Sequence, residues 1–267
     1  MRFAQRDSRR AFLRTLVGYA LAASANTASP AGERWPFERV SGQFHWHADF
    51  GFTEQQRLLD EMNQLRGDLF RELELAASDE PIHIFIFQHH STYQNYLRYY
   101  FPKAPGRRAM YIKERGQGML FTYKSDELAV DIRHEGTHAL LHSVLPMVPL
   151  WLDEGLAEYF EVPRDDRAYG NEYLSTTKWQ ARFGQTPKLE KLETLDDLAS
   201  MGKTEYRQSW AWVHFLLHGS AEGRAELIRF LADVHAHTPP GKLSDRLRRS
   251  VPQLDKRLAE HFKTWQR

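Results

Sequence analysis

Cysteine is missing altogether from this 267-residue chain. Disulfides, thiolate metal sites, a cysteine nucleophile and a lipidated cysteine are therefore excluded. Any metal must be held by histidine, carboxylate or carbonyl groups, and 13 histidines supply candidates. An excess of either charge is also missing, since 36 Lys and Arg face 35 Asp and Glu. Nothing in that balance points to nucleic acid or an anionic surface as partner. There are no internal repeats and no long low-complexity segments. What is present is a 42% hydrophobic content, enough for a substantial core in one domain or two closely packed lobes. Aromatics at 13% argue against disorder over most of the length.

The N-terminus reads as an address. Arg2, Arg6, Arg9, Arg10 and Arg14 form a basic front, followed by the modest apolar stretch "LVGYALAA" (16–23) and the small-x-small site "ASA" (23–25). That apolar run is shorter than the roughly 20 residues a bilayer requires. It reads as a removable export signal over 1–25, not as a stable membrane anchor. Ser8-Arg9-Arg10-Ala11-Phe12-Leu13-Arg14 resembles the twin-arginine export motif. The resemblance implies a precursor handled by the twin-arginine machinery and a periplasmic or extracellular destination.

Strand patterns come first in the mature chain. "SGQFHWHADF" (41–50) alternates, "PIHIFIFQ" (81–88) is apolar on both faces like a central strand, and 108–124 reads as a hairpin around Gly116 and Gly118. Helical spacing appears at 53–75, opened by a capping-box-like Thr53, and at 93–101. From 126 onward the pattern is helical. Segments 126–145 and 151–161 are separated by Pro146 and Pro149, and further helices are expected over 194–200, 205–218, 221–236 and 251–265. The expected class is α+β: a small mixed α/β lobe (26–125) followed by a mainly helical lobe (126–267), with an active-site helix at the junction.

That helix carries His134-Glu135-Gly136-Thr137-His138, the H-E-x-x-H pattern. Residues four apart share one helical face about 6 Å apart along the axis, so two imidazoles can converge on one ion. Glu135 is turned about 100° from His134, bordering the open side without competing as a ligand. A third ligand is needed. The metzincin spacing asks for glycine and then histidine at two later positions of the chain, which hold Leu141 and Val144 instead. His142 continues the i+4 ladder but lies about 12 Å along the axis from His134, too far to share its ion; a helix-surface or supporting role is expected for it. Glu154, 20 residues beyond His134 and after a proline break that can reverse the chain, fits a ligand from a following helix.

"HEGTH" followed by "WLDEGLAEYFE" (151–161) resembles the gluzincin metallopeptidases, in particular the MA-like peptidase domains of exported bacterial proteins (domain of unknown function 1570). "YRQSWAWVHFLL" (206–217) is similar to a downstream segment of such domains. The resemblance implies a zincin-like fold and a Zn²⁺ ion held by His134, His138 and Glu154. It implies Glu135 as general base, and Glu158 as the acid that orients His134 through its other ring nitrogen. Tyr206 is the candidate donor to a developing oxyanion, read against an ordinary core tyrosine on the stripe Tyr206, Trp210, Val213 and Leu217. Asp153 reads as a helix N-terminal acid. His214 and His218 form a second i,i+4 pair without a third ligand, so packing roles are expected for them. The expected function is an exported zinc metallohydrolase acting on a peptide or protein substrate. The alternative is a zinc-containing module that binds peptide or cell-wall ligands without hydrolysing them.

Overall fold

In the computed structural model, residues 35–52, 56–104, 106–114 and 116–267 are described. The export segment over 1–25 and Thr53 lie outside the described residues. Two-residue alternation builds the first part of the chain. β1 (Phe37–Ser41) turns through Gly42, at φ 60, into β2 (Phe44–Ala48). α1 (Gln56–Glu72), β3 (Ile82–Phe87), α2 (His90–Tyr100), β4 (Ala109–Glu114) and β5 (Gln117–Tyr123) follow. The sheet order is β1-β2-β3-β5-β4. β3 is central, as its two-sided apolar pattern predicts, and pairs parallel with β2 and β5. β1 and β4 are antiparallel edges.

The helical part comprises α3 (Leu128–Val144), α4 (Leu150–Phe160), α5 (Tyr173–Arg182), α6 (Leu189–Leu192), α7 (Lys203–His218), α8 (Ala221–His235), α9 (Leu243–Ser250) and α10 (Leu254–Thr264). The architecture is α+β, a small mixed sheet followed by a mainly helical region. Among the described residues, no helix is long and apolar enough to cross a membrane. The helix expected over 194–200 does not form. Asp197 instead accepts from Ala199 N and caps a short 3₁₀ turn, Leu198–Ser200. α5 and α9 go beyond the sequence expectation, because each buries only two or three side chains.

The sheet has two different faces. Phe44, Trp46, Ala48, Ile82, Ile84, Ile86 and Leu120 join α1, α3 and the later helices in one continuous core. Phe85, Phe87, Phe121 and Met110 pack under Tyr93, Tyr96 and Leu97 of α2. α3 is thus clamped between the first face of the sheet and the helices behind it.

α4 is held against α7 by a backbone approach at Gly155. A Cβ placed there would lie 2.7 Å from Ser209 O and 2.9 Å from Val213 Cγ2. Only glycine lets the two helices come this close. Gly155→Ala should therefore destabilise the fold by about 1–3 kcal/mol through overpacking. Alanine's helix propensity alone would stabilise by about 1 kcal/mol. A lower urea midpoint is the expected result; an unchanged or higher one would contradict the close approach.

Candidate metal centre

α3 ends before Pro146, and α4 starts directly after Pro149. The two helices are antiparallel: His142 meets Asp153 near the turn, while Arg133 meets the Glu161 carbonyl at the far end. This register sets the side chains of 134, 138 and 154 against one another. The His134 and His138 rings are 5.1 Å apart between centroids. Nε2 of His134 lies 3.6 Å, and Nε2 of His138 3.8 Å, from Oε2 of Glu154. The three side chains form a group that could hold a metal ion. Tetrahedral ligands with bonds of about 2 Å stand roughly 3.3 Å apart, so the cluster is slightly wider than a closed coordination sphere.

Glu154 is 3% exposed, and its Oε2 has no hydrogen-bond partner. An orphaned carboxylate oxygen at that depth carries a large desolvation cost. A cation between it and the imidazoles would remove that cost, which is the test the donor set passes. Burial pushes the Glu154 carboxyl up, but His138 and His134 outweigh it and hold the carboxyl below its usual range. Burial pushes His138 down, and Asp153 and Glu154 outweigh it, raising the imidazole to about 9.

The opposite edge of each imidazole meets an acid. Nδ1 of His134 is 2.8 Å from Oε2 of Glu161, and Nδ1 of His138 is 2.9 Å from Oδ1 of Asp153. The His134 contact is a hydrogen bond, and a proton kept on that Nδ1 frees Nε2 for an ion; the His138–Asp153 contact is an ion pair in distance only, without hydrogen-bond geometry. Asp153 also reaches Nε2 of His142 at 2.9 Å. It is a first-turn helix acid as expected, but it also braces two histidines. His142 supports the site and is stacked on Tyr111.

Glu158 does not make the contact expected of it. The acid on His134 Nδ1 is Glu161, which the sequence reading missed. Because the helices are antiparallel, the residue facing His134 comes from the far end of α4, two turns past Glu154. The spacing 154, 158, 161 marks one helical face and could have included it. Glu158 lies beside them, accepting from Tyr173 Oη at 3.5 Å; its carboxylate, that of Glu161 and a His134 ring nitrogen fall within 4.8 Å of one another, a second group that could hold an ion. Burial, reinforced by the Glu161 charge, pushes its carboxyl up to about 8. Arg133, itself buried, donates to the Glu161 carbonyl and to Glu61 on α1, fixing the end of α4.

Glu135 faces the sheet. Its Oε2 accepts from the backbone N–H of Tyr111 on edge strand β4 at 2.7 Å. Tyr206, from the first turns of α7, is half-buried at the rim. Burial pushes its hydroxyl up to about 12, the Glu154 charge adds to this, and the charge and hydrogen bond of Arg107 oppose it. Arg107 was not singled out in the sequence. His214 is a packing residue: its ring nitrogens meet His261 Nε2 at 2.9 Å and Ala168 O at 3.0 Å. His218 is hydrogen-bonded to Tyr159 Oη at 2.8 Å.

The model of a family described as "Protein of unknown function (DUF1570)" matches residues 128–240, less than half of the chain. The match takes in α3, α4 and α7, and so every residue of the cluster. No curated protein matches the chain.

If Glu161 orients His134, Glu161→Ala should weaken metal binding by about 10- to 100-fold. Competition against a chromogenic chelator measures this. Unaltered affinity would mean that the contact does not govern ligation.

Proposed function

We propose that the chain is a zinc-dependent hydrolase and that it cleaves peptide bonds. The observation that carries this reading is the unpartnered, buried Glu154 Oε2 facing two imidazole Nε2 atoms at 3.6 and 3.8 Å. Two imidazoles and one carboxylate form the donor set of many hydrolytic zinc sites, with a fourth position left for water. Without thiolates, the set suits zinc better than softer ions. Bound zinc supplies Lewis acidity that polarises a carbonyl and lowers the pKa of water toward about 7.

The chain's own groups supply the remaining chemistry. Glu135, with Oε2 steadied by the Tyr111 N–H, takes the proton of the attacking water and returns it to the leaving nitrogen. The Tyr206 hydroxyl, protonated at neutral pH like any tyrosine, can donate to a developing oxyanion. β4 is an edge strand of the sheet beside α3, with its Tyr111 N–H engaged by Glu135. An extended peptide laid along that edge would pass next to Glu135.

Zinc per chain and cleavage of a mixed peptide library should be measured together for the wild type and Glu135→Gln. The variant is expected to keep its zinc and to lose activity by about 100-fold or more. Cleavage that survives the substitution would refute the mechanism. Zinc binding without cleavage in either protein would favour a ligand-binding module.

A further inference from the structure

One guanidinium at the rim of the metal centre has no part in the chemistry above. Arg107 lies on the connection between α2 and β4, and the backbone there is anchored twice. The Arg107 carbonyl accepts from the hydroxyl of Tyr93, a buried side chain of α2, at 2.8 Å. The next residue, Arg108, donates through Nε to both oxygens of Asp131, at 2.9 and 2.8 Å. Asp131 is itself buried on α3, one turn before His134 and Glu135. The connection is therefore tied to the helix that carries the imidazoles, while Arg107 stays exposed.

Two hydroxyls place Arg107 relative to the centre. Burial pushes the Tyr93 hydroxyl up and the Glu135 charge adds to this, so the anchor of the Arg107 carbonyl lies within the field of Glu135. At its other end, the Arg107 guanidinium hydrogen-bonds the Tyr206 hydroxyl, which also feels the Glu154 charge. From backbone to guanidinium, Arg107 runs from the Glu135 side of the centre to the Tyr206 side. Its charge is not neutralised there. Arg108 is paired with Asp131, Arg133 with Glu61 and Arg167 with Asp68, but among the described residues no carboxylate pairs with Arg107. The centre itself is rich in acids, which repel an anionic ligand unless a cation receives it. An anchored guanidinium without an acid partner presents a planar fork of donors that matches a carboxylate.

We propose that Arg107 is a specificity residue of this site and that its guanidinium receives a carboxylate of the peptide substrate close to the scissile bond. The inference rests on the hydrolase reading given above. Arg107 touches the hydroxyl that faces the reacting carbonyl, and an extended peptide advances about 3.4 Å per residue. The carboxylate it receives therefore belongs to a near neighbour of the scissile bond, as the C terminus of the peptide or as an Asp or Glu side chain. Arginine donates to the Tyr206 oxygen, so the hydroxyl hydrogen stays free for the oxyanion.

The test uses a mixed peptide library made in four forms, with free or amidated C termini and with Glu or Gln at the acidic positions. Cleavage by the zinc-loaded wild type gives relative kcat/KM for matched pairs. Retention on immobilised, zinc-loaded Glu135→Gln protein reads recognition without turnover. The expected result is a preference of about 10- to 100-fold for the carboxylate-bearing member in one of the two comparisons. Free against amidated peptides identifies the chain terminus; Glu against Gln identifies a side chain. Arg107→Gln should keep its zinc and lose the preference, and Arg107→Glu should turn it into discrimination against the carboxylate. The Arg107 side chain is exposed and its bond to Tyr93 runs through the backbone, so both variants leave the anchors intact. Selective retention without any cleavage would overturn the hydrolase reading and support the role of Arg107. Equal handling of both members of both pairs by the wild type, or a preference that survives Arg107→Gln, would overturn the proposal.

Discussion

One buried carboxylate organises the molecule's candidate site. Glu154 sits almost without solvent access, with an oxygen no other group satisfies. A chain keeps such a group only if something offsets the desolvation cost. Here the offset comes from two imidazoles on a neighbouring antiparallel helix, and in our account from an ion between them. The rest of the structure serves to hold that meeting in place. The turn at Pro146–Pro149 reverses the chain, Gly155 brings α4 onto the backbone of α7, and the sheet supports α3 from the other side.

Carboxylates behind the imidazoles complete the arrangement. Asp153 and Glu161 approach their Nδ1 atoms, and Arg133 ties the end of α4 to α1 through Glu61. The cluster is thus connected to three helices before any ligand binds. Glu135 connects it to the fourth element, the edge strand β4. Fixed orientation of these groups is what lowers the cost of binding an ion and of moving a proton.

The main features of the site were legible in the sequence because they follow from helical periodicity. The pair at 134 and 138 needs only the 3.6-residue repeat, whereas the choice of Glu154 among the acids at 153, 154, 158 and 161 rested on the resemblance of "WLDEGLAEYFE" to the gluzincin pattern. The support around Glu161 was harder to read. It depends on the antiparallel register of two helices, which no spacing within one helix encodes, and the role expected of Glu158 fell to its neighbour. The contribution of Arg107 at the rim also arises only in three dimensions. In the fold, the central strand and the long helices were clear from their apolar patterns. β1, exposed over most of its length, and α5 and α9, with few buried side chains, gave no comparable signal.

The most direct measurement is anomalous diffraction at the zinc absorption edge from crystals grown with zinc. The account predicts a peak bonded to Nε2 of His134, Nε2 of His138 and a carboxylate oxygen of Glu154, with one position left to solvent. No peak at that point, or a Glu154 side chain turned away from the imidazoles in the zinc-soaked crystal, would contradict it.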